Sequence, residues 1–217
     1  INNYWGNCDK KNIKNVRTRC SVSIQINNLD ILIDTSPDIR MQLQKNKIKK
    51  VDAVIYTHEH ADQTAGIFEL RTFYMLNKKI IPIYANESTM KRLKKSYPYL
   101  FNGAKYYPPI LKLKKIKKKF YIKNKNDSLL FNSINVTHGK VQTNGYLFNK
   151  IAYISDCKSI SKKSLKILKN LEYLIIDCFR YKEYLTHLSF DESLEIIKFL
   201  NPKKAILTNL HVDLDYA

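Results

Sequence analysis

Apolar and polar positions along this chain fall into short alternating stretches, short continuous apolar runs and a few amphipathic ones. Residues 20–26 alternate as a half-buried strand does, Asn27 and Asn28 supply a turn, and residues 29–34 return, so the pair reads as a hairpin. Residues 51–56 form an apolar, β-branched run, the pattern of a strand buried on both faces. Further strands are predicted at 80–84, 128–137 with Asn132 and Ser133 as a candidate turn, 145–148, 151–155, 173–177 and 205–208. Helices are predicted from an N-cap and N1 pair at Ser36 and Pro37 to about Asn46, and at 67–76, 87–95, 161–171 and 189–200. In the helix at 87–95, Met90 and Leu93 face inward. Ser189 and Glu192 make a capping box for the last helix, and Pro202 marks its exit. Residues 1–18 are polar and irregular.

The residues able to do chemistry cluster at the ends of these strands. His58, His138, Asp156 and His211 each follow an apolar strand, which lets them converge along one rim of packed sheets. The stretch 51–66, VDAVIYTHEHADQTAG, organises the rest: its strand delivers His58, His60 and Asp62 in quick succession. Two imidazoles and a carboxylate spaced by two residues suit zinc, manganese or iron. By composition alone, the chain is mixed α and β with covered sheets.

Charge changes this picture only mildly. Against 19 acidic side chains stand 38 basic ones, a net of +19, which can concentrate a polyanion near the surface. The same surplus follows from a composition crowded throughout with lysine, asparagine and isoleucine and holding only five glycines. Residues 105–125 carry nine lysines and no acid, interleaved with Tyr106, Tyr107, Phe120 and Tyr121. Such a tract can stack and neutralise single-stranded nucleic acid; the reading preferred from sequence is a solvated excursion interrupted by Pro108 and Pro109. A chain of 217 residues can bury one sizeable core, so a single domain over 1–217 is expected. No apolar run approaches the length of a membrane span, and the opening INNYWGNCDK has neither a basic nor an apolar leader region. A cytoplasmic protein without a membrane partner is therefore expected, with a homodimer as one assembly. Four cysteines without a CxxC pair fit a reducing compartment; Cys157 and Cys178 read as packing residues.

THEHADQTAG at 57–66 resembles the His-x-His-x-Asp-His signature of the metallo-β-lactamase superfamily. RTRCS at 17–21, ILIDTSPDIR at 31–40, YTHEHAD at 56–62 and LTNLHVDLDY at 207–216 look more narrowly like its phosphoribosyl 1,2-cyclic phosphate phosphodiesterase-like branch, itself related to transfer RNA 3'-processing nucleases. The resemblance covers nearly the whole chain. It implies an α/β (α+β) fold, a four-layer αββα metallo-β-lactamase-like sandwich whose N-terminal strand has no counterpart in 1–18.

The resemblance also implies a ligand set: His58, His60 and His138 for one ion, Asp62, Asp156 and His211 for a second, with Asp156 bridging. One or two divalent ions, Zn2+ or Mn2+, would supply a hydroxide to attack phosphorus in a small cyclic phosphodiester. Asp62 thus counts as catalytic as well as ligating. His187, in YLTHLSF, is the candidate general acid for the leaving oxygen, and Arg71 and Arg180 are candidates to bind phosphate. Gln63 stands where the signature has its last histidine, and its amide is a weaker, uncharged ligand. Three outcomes stay open: two ions with the second weakened, one ion, or a non-catalytic nucleotide- or RNA-binding module. An RNA 3'-end endonuclease is the alternative enzyme, favoured by the charge and the lysine tract; RNA is the less favoured partner.

Overall fold

The computed structural model describes residues 4–217. The chain forms two compact units, one of Arg19–Phe131 and one of Asn132–Ala217 together with the residues up to Thr18.

In the first unit, β1 (Val22–Ile26) and β2 (Leu29–Ile33) make the expected hairpin, with Ile24 opposite Ile31. The turn residue Asn27 takes φ +49°, a left-handed conformation that asparagine tolerates better than most residues. After α1 (Ile39–Lys45) comes β3 (Ala53–Ile55), wholly buried and parallel to β2. The chain continues through α2 (Ala61–Thr64), a 3-10 turn at Ala65–Glu69 and α3 (Leu70–Asn77) to β4 (Ile81–Ala85). Next are α4 (Glu87–Ser96), capped by the Asn86 side chain, α5 (Pro98–Asn102), β5 (Leu111–Lys115) and β6 (Lys119–Lys123). The sheet runs β1-β2-β3-β4-β5. Its core gathers Leu32, Val54, Tyr56, Ile67, Phe73, Ile83 and Leu93, with Met90 packed against it.

Three expectations change here. The first helix begins after Asp38, because the Ser36 hydroxyl accepts the Asp38 N–H at 3.2 Å and Ser36 O accepts that of Ile39, forming a turn before the helix. The helix placed at 67–76 is preceded by α2 and the 3-10 turn, so helical structure starts inside the histidine loop itself. Finally, the lysine tract is no excursion. In β6, Phe120 and Ile122 are buried while Lys119, Tyr121 and Lys123 face out, and Phe120 stacks on Tyr84 and Phe131. Lysine stems lie comfortably along the outer face of a strand, so the alternation is real but hidden by composition.

In the second unit, β7 (Ser128–His138) continues unbroken from the first, and β8 (Val141–Phe148) and β9 (Ile151–Ile154) follow it. No turn forms at Asn132 and Ser133: they pair with Leu147 and Tyr146 of β8, and Ser133 donates to Asn144 Oδ1 at 2.9 Å. After β10 (Ser159–Ile160), helix α6 (Lys162–Leu165) is much shorter than expected. Leu168 and Leu171 both have to reach the core, and Asn170 turns the chain at φ +53°. Strand β11 (Tyr173–Asp177), helix α7 (Phe190–Leu200) with the expected capping box, and β12 (Lys204–Thr208) complete the unit. The order is β10-β7-β8-β9-β11-β12, with β6 beside β7, and β11 is parallel to both β9 and β12.

The polar N-terminal stretch is fastened to the segment after β12. Cys8 donates to Val212 O and Leu214 O, Asn15 Nδ2 to Asp215 at 2.8 Å, and Arg17 to His211 O and Leu214 O. All four cysteines are free thiols. Among the described residues no helix is long and apolar enough to cross a membrane.

Candidate metal centre

Beyond β3, Tyr56 and Thr57 are both buried, and the chain continues into His58 with no exposed surface. Asp34, the residue after β2, sits at φ +62° and turns its carboxylate under this tip. It accepts the Thr57 N–H at 2.8 Å and the Thr57 hydroxyl at 2.9 Å. Because that hydroxyl gives its proton to Asp34, its 3.0 Å contact with Nδ1 of His58 requires the imidazole to donate. The tautomer is thereby set, with the proton on Nδ1. His60 lies with its ring centroid 4.4 Å from that of His58, and its carbonyl accepts the N–H groups of Gln63 and Thr64.

Asp62 is in the first turn of α2, half-buried, where the helix's free N–H groups favour a negative charge. Gln63 is buried, its carbonyl accepts the Thr35 N–H at 2.8 Å, and its Nε2 reaches Asp62 Oδ2 at 3.5 Å. Gly66 then fits against the turn before α1. A Cβ on it would lie 2.2 Å from Ser36 O and 2.4 Å from the Ile39 side chain, and its N–H donates to Thr35 O. Arg71, one turn further on, is exposed and lies over the rings of Phe68 and Tyr107.

In the other unit, the ends of β7 and β9 and the loop before α7 bring His138, Asp156 and His187 together, each offering a ligand atom within 4.8 Å of the others. His138 closes β7, and its Nδ1 donates to Thr186 O at 2.7 Å. Gly139 after it takes φ +59° and lies against Thr186. Asp156 follows β9, and its carbonyl accepts the Thr143 hydroxyl. His187 donates through Nδ1 to Asp177 Oδ2 at 2.9 Å, and its ring stacks on Phe179.

Asp177 and Asn209 join this group through hydrogen bonds, and the sequence alone did not single them out. Asp177 ends β11 fully buried and accepts hydrogen bonds from His187, the N–H groups of Cys157 and Leu188, and Asn209. Burial pushes its carboxyl above the usual range, and His187 beside it pulls it back. The available signal was positional: an aspartate closing a buried strand, ten residues before a histidine. Asn209, at φ +62° just past β12, places Nδ2 3.1 Å from Asp177 Oδ1 and 3.4 Å from Asp156 Oδ1.

His211 is not part of the group of three. It is about a third exposed, 3.2 Å from Asp213 Oδ1, with Arg180 Nη2 at 3.4 Å from Nδ1 and 3.5 Å from Nε2. Arg180 bridges to Asp213 at 3.3 Å and lies against the rings of Phe179 and Tyr184. Cys157 and Cys178 are buried packing residues whose thiols are held protonated by burial, Cys178 being pushed up to about 11.

The donors present suit a divalent metal ion: His138, Asp156 and His187 bring nitrogen and carboxylate ligand atoms within 4.8 Å of one another. Residues 30–209 match the beta-lactamase superfamily domain. Among solved structures, the chain is similar to a diphosphatase from the PhnP family, with 32% identity, a TM-score of 0.83 and coverage of 92% of this chain and 76% of that one. It shares its fold with the short form of human tRNase Z, at 15% identity, a TM-score of 0.69 and coverage of 89% and 86%. It is also 29% identical over 206 residues to an octanoyltransferase of Porphyromonas gingivalis, matching 94% of this chain but only 41% of that protein's length. The expected fold class, mixed α and β with two sheets, is the metallo-β-lactamase one.

Proposed function

The chain belongs to the beta-lactamase superfamily, and on that premise we propose that it is a metal-dependent hydrolase of a small phosphodiester such as a phosphoribosyl cyclic phosphate. The observation that carries this reading is the imidazole orientation: Asp34 through Thr57, Thr186 and Asp177 each anchor one ring through Nδ1–H. Rings held in this way are prepared to ligate or to pass a proton through Nε2, which a merely packed histidine does not require. The relative at 32% identity, a diphosphatase by name, supports phosphorus chemistry.

His58, His60 and Asp62 in one unit, and His138 and Asp156 in the other, are the residues proposed as ligands of a divalent ion, with zinc and manganese both suited to nitrogen and carboxylate donors. Such an ion supplies Lewis acidity, lowering the pKa of a water and offsetting charge on the phosphoryl oxygens. His187 is assigned the proton for the departing sugar oxygen. Its Nδ1–H is committed to Asp177, so Nε2 is the atom that gives the proton, and the buried carboxylate stabilises the charged ring. Arg180 offers a cation near this group, partly spent on Asp213. Action in the cytoplasm and assembly as a homodimer belong to the same proposal.

The lysines of β5 and β6 favour one second reading, an RNA 3'-end endonuclease. Turnover of a cyclic ribose phosphate, bis-p-nitrophenyl phosphate, a nucleoside diphosphate and a precursor transfer RNA, with manganese and then zinc, separates the two. Hydrolysis of the small esters, lost in His58→Ala, is the expected result. Cleavage of the RNA with negligible turnover of every small substrate would replace the primary reading with the nuclease, and no turnover of any with intact folding would favour a binding module.

A further inference from the structure

Resting on the reading of His187 above, we infer that Arg17 is a positioning residue. It holds the chain segment after β12 in place, and through that segment it fixes Asn209 and Phe179 against Asp177 and His187. All of these residues belong to one compact unit.

Beyond β12, residues 209–216 form neither strand nor helix. Their carbonyl groups find no partner in a sheet or helix ladder, and backbone oxygens drawn out of water need donors from elsewhere. The N-terminal stretch supplies them. Arg17 Nη1 donates to His211 O at 3.1 Å and Nη2 to Leu214 O, so one planar guanidinium spans the middle of the segment. Nη2 also donates to Asn15 Oδ1 at 3.0 Å, and the same oxygen accepts the Tyr216 N–H at 3.0 Å. Between the two carbonyls that Arg17 holds, Val212 O accepts the Asn7 N–H at 2.9 Å and the Cys8 thiol at 3.3 Å. Gly6, at φ +55°, comes so near that a Cβ would lie 2.6 Å from Val212 O.

The segment held in this way has two grips on the histidine group. Asn209 Nδ2 donates to Asp177 Oδ1 at 3.1 Å, on the carboxylate whose other oxygen accepts from His187 Nδ1 at 2.9 Å. The His211 N–H donates to Phe179 O at 2.8 Å, and the Phe179 ring stacks on the His187 imidazole with centroids 4.7 Å apart. Irregular segments that lose hydrogen bonds open before the core does, so Arg17 sets how firmly Asp177 and His187 are backed. A lysine would keep the charge but offer a point donor in place of the planar fork.

Three measurements on the zinc-loaded native protein, Arg17→Lys and Arg17→Ala test this. The lysine variant keeps a cation and a donor, and it carries the test where the alanine variant fails to fold. Amide hydrogen exchange is expected to quicken in both variants over residues 207–217 while β9 and β11 keep their protection. The imidazole 15N resonances of His187, assigned by their loss in His187→Gln, are expected to shift. With a cyclic ribose phosphate, kcat should fall roughly 10-fold to 100-fold with KM near native, the cost of a misplaced catalytic group. Unchanged exchange over 207–217, or a lowered urea midpoint with His187 resonances and kcat both unchanged, would overturn the inference and leave the hydrolase reading standing. Absence of turnover in the native protein would overturn both.

Discussion

Asp177 holds His187 through a 2.9 Å hydrogen bond at Nδ1, and the same carboxylate accepts the amide of Asn209 and two backbone N–H groups. A buried acid with four donors has little freedom, so it fixes which imidazole nitrogen faces the reacting atoms. Asp177→Asn can keep the shape but lets the ring take either tautomer. Loss of proton donation costs roughly 10²- to 10⁴-fold in kcat for a substrate that needs it. The expected pattern is a large fall with a cyclic ribose phosphate, whose leaving oxygen must be protonated, and a small one with bis-p-nitrophenyl phosphate. Equal losses on both substrates would assign Asp177 a structural role only.

Gln63→His is expected to raise affinity for a second ion, because an imidazole nitrogen replaces an amide that now donates to Asp62. Equilibrium dialysis against Zn(II) and Mn(II) measures it; unchanged affinity in Gln63→His would show that this position does not face the ion.

Gly66→Ala should unfold the turn that carries the histidine loop into α3. The added methyl would meet the Ser36 carbonyl at 2.2 Å, and backbone cannot step aside as a side chain does. A cost of about 3 kcal/mol, the upper part of the usual overpacking range, is expected. The urea midpoint reports it, and a midpoint within error of the native value would contradict the close approach.

Replacing Lys114, Lys115, Lys117 and Lys118 by glutamine removes four exposed charges, one of them paired with Glu87 at 2.7 Å. Exposed pairs contribute about 0 to 1 kcal/mol, so folding should hold and small-ester hydrolysis should stay near native. A steep salt dependence of RNA binding in the native protein, lost in this variant, would instead assign the strands to a nucleic acid.

Chelation is expected to abolish hydrolysis and lower the melting temperature, with both restored by added manganese or zinc, since a ligand bound to the folded state stabilises it by mass action. Unchanged turnover after exhaustive chelation would remove the metal from the reaction.

What the sequence made legible follows from local rules. The hairpin at 20–34, the buried strand at β3, the capped helices α4 and α7 and the histidines at strand ends all rest on alternation, capping or spacing within a few residues. What it hid depends on distant partners. Ser133 looks like a turn residue until β8 supplies its neighbours Asn144 and Tyr146. The strand character of β6 is masked because lysine fills the outward positions. Asn209 carries no chemical signal alone, and its meaning comes from two aspartates that precede it by 53 and 32 residues.

The contacts between residues 34–36 and the histidine loop set the smallest portable piece of this centre. The loop is tied at its start by Asp34 to Thr57 and at its end by Thr35 and Ser36 to Gly66. A graft of 57–66 into a foreign sheet would arrive without the acid that selects the His58 tautomer and without the carbonyl that receives Gly66. Transplanting the donors therefore requires two neighbouring parallel strand tips, moved together as one cassette.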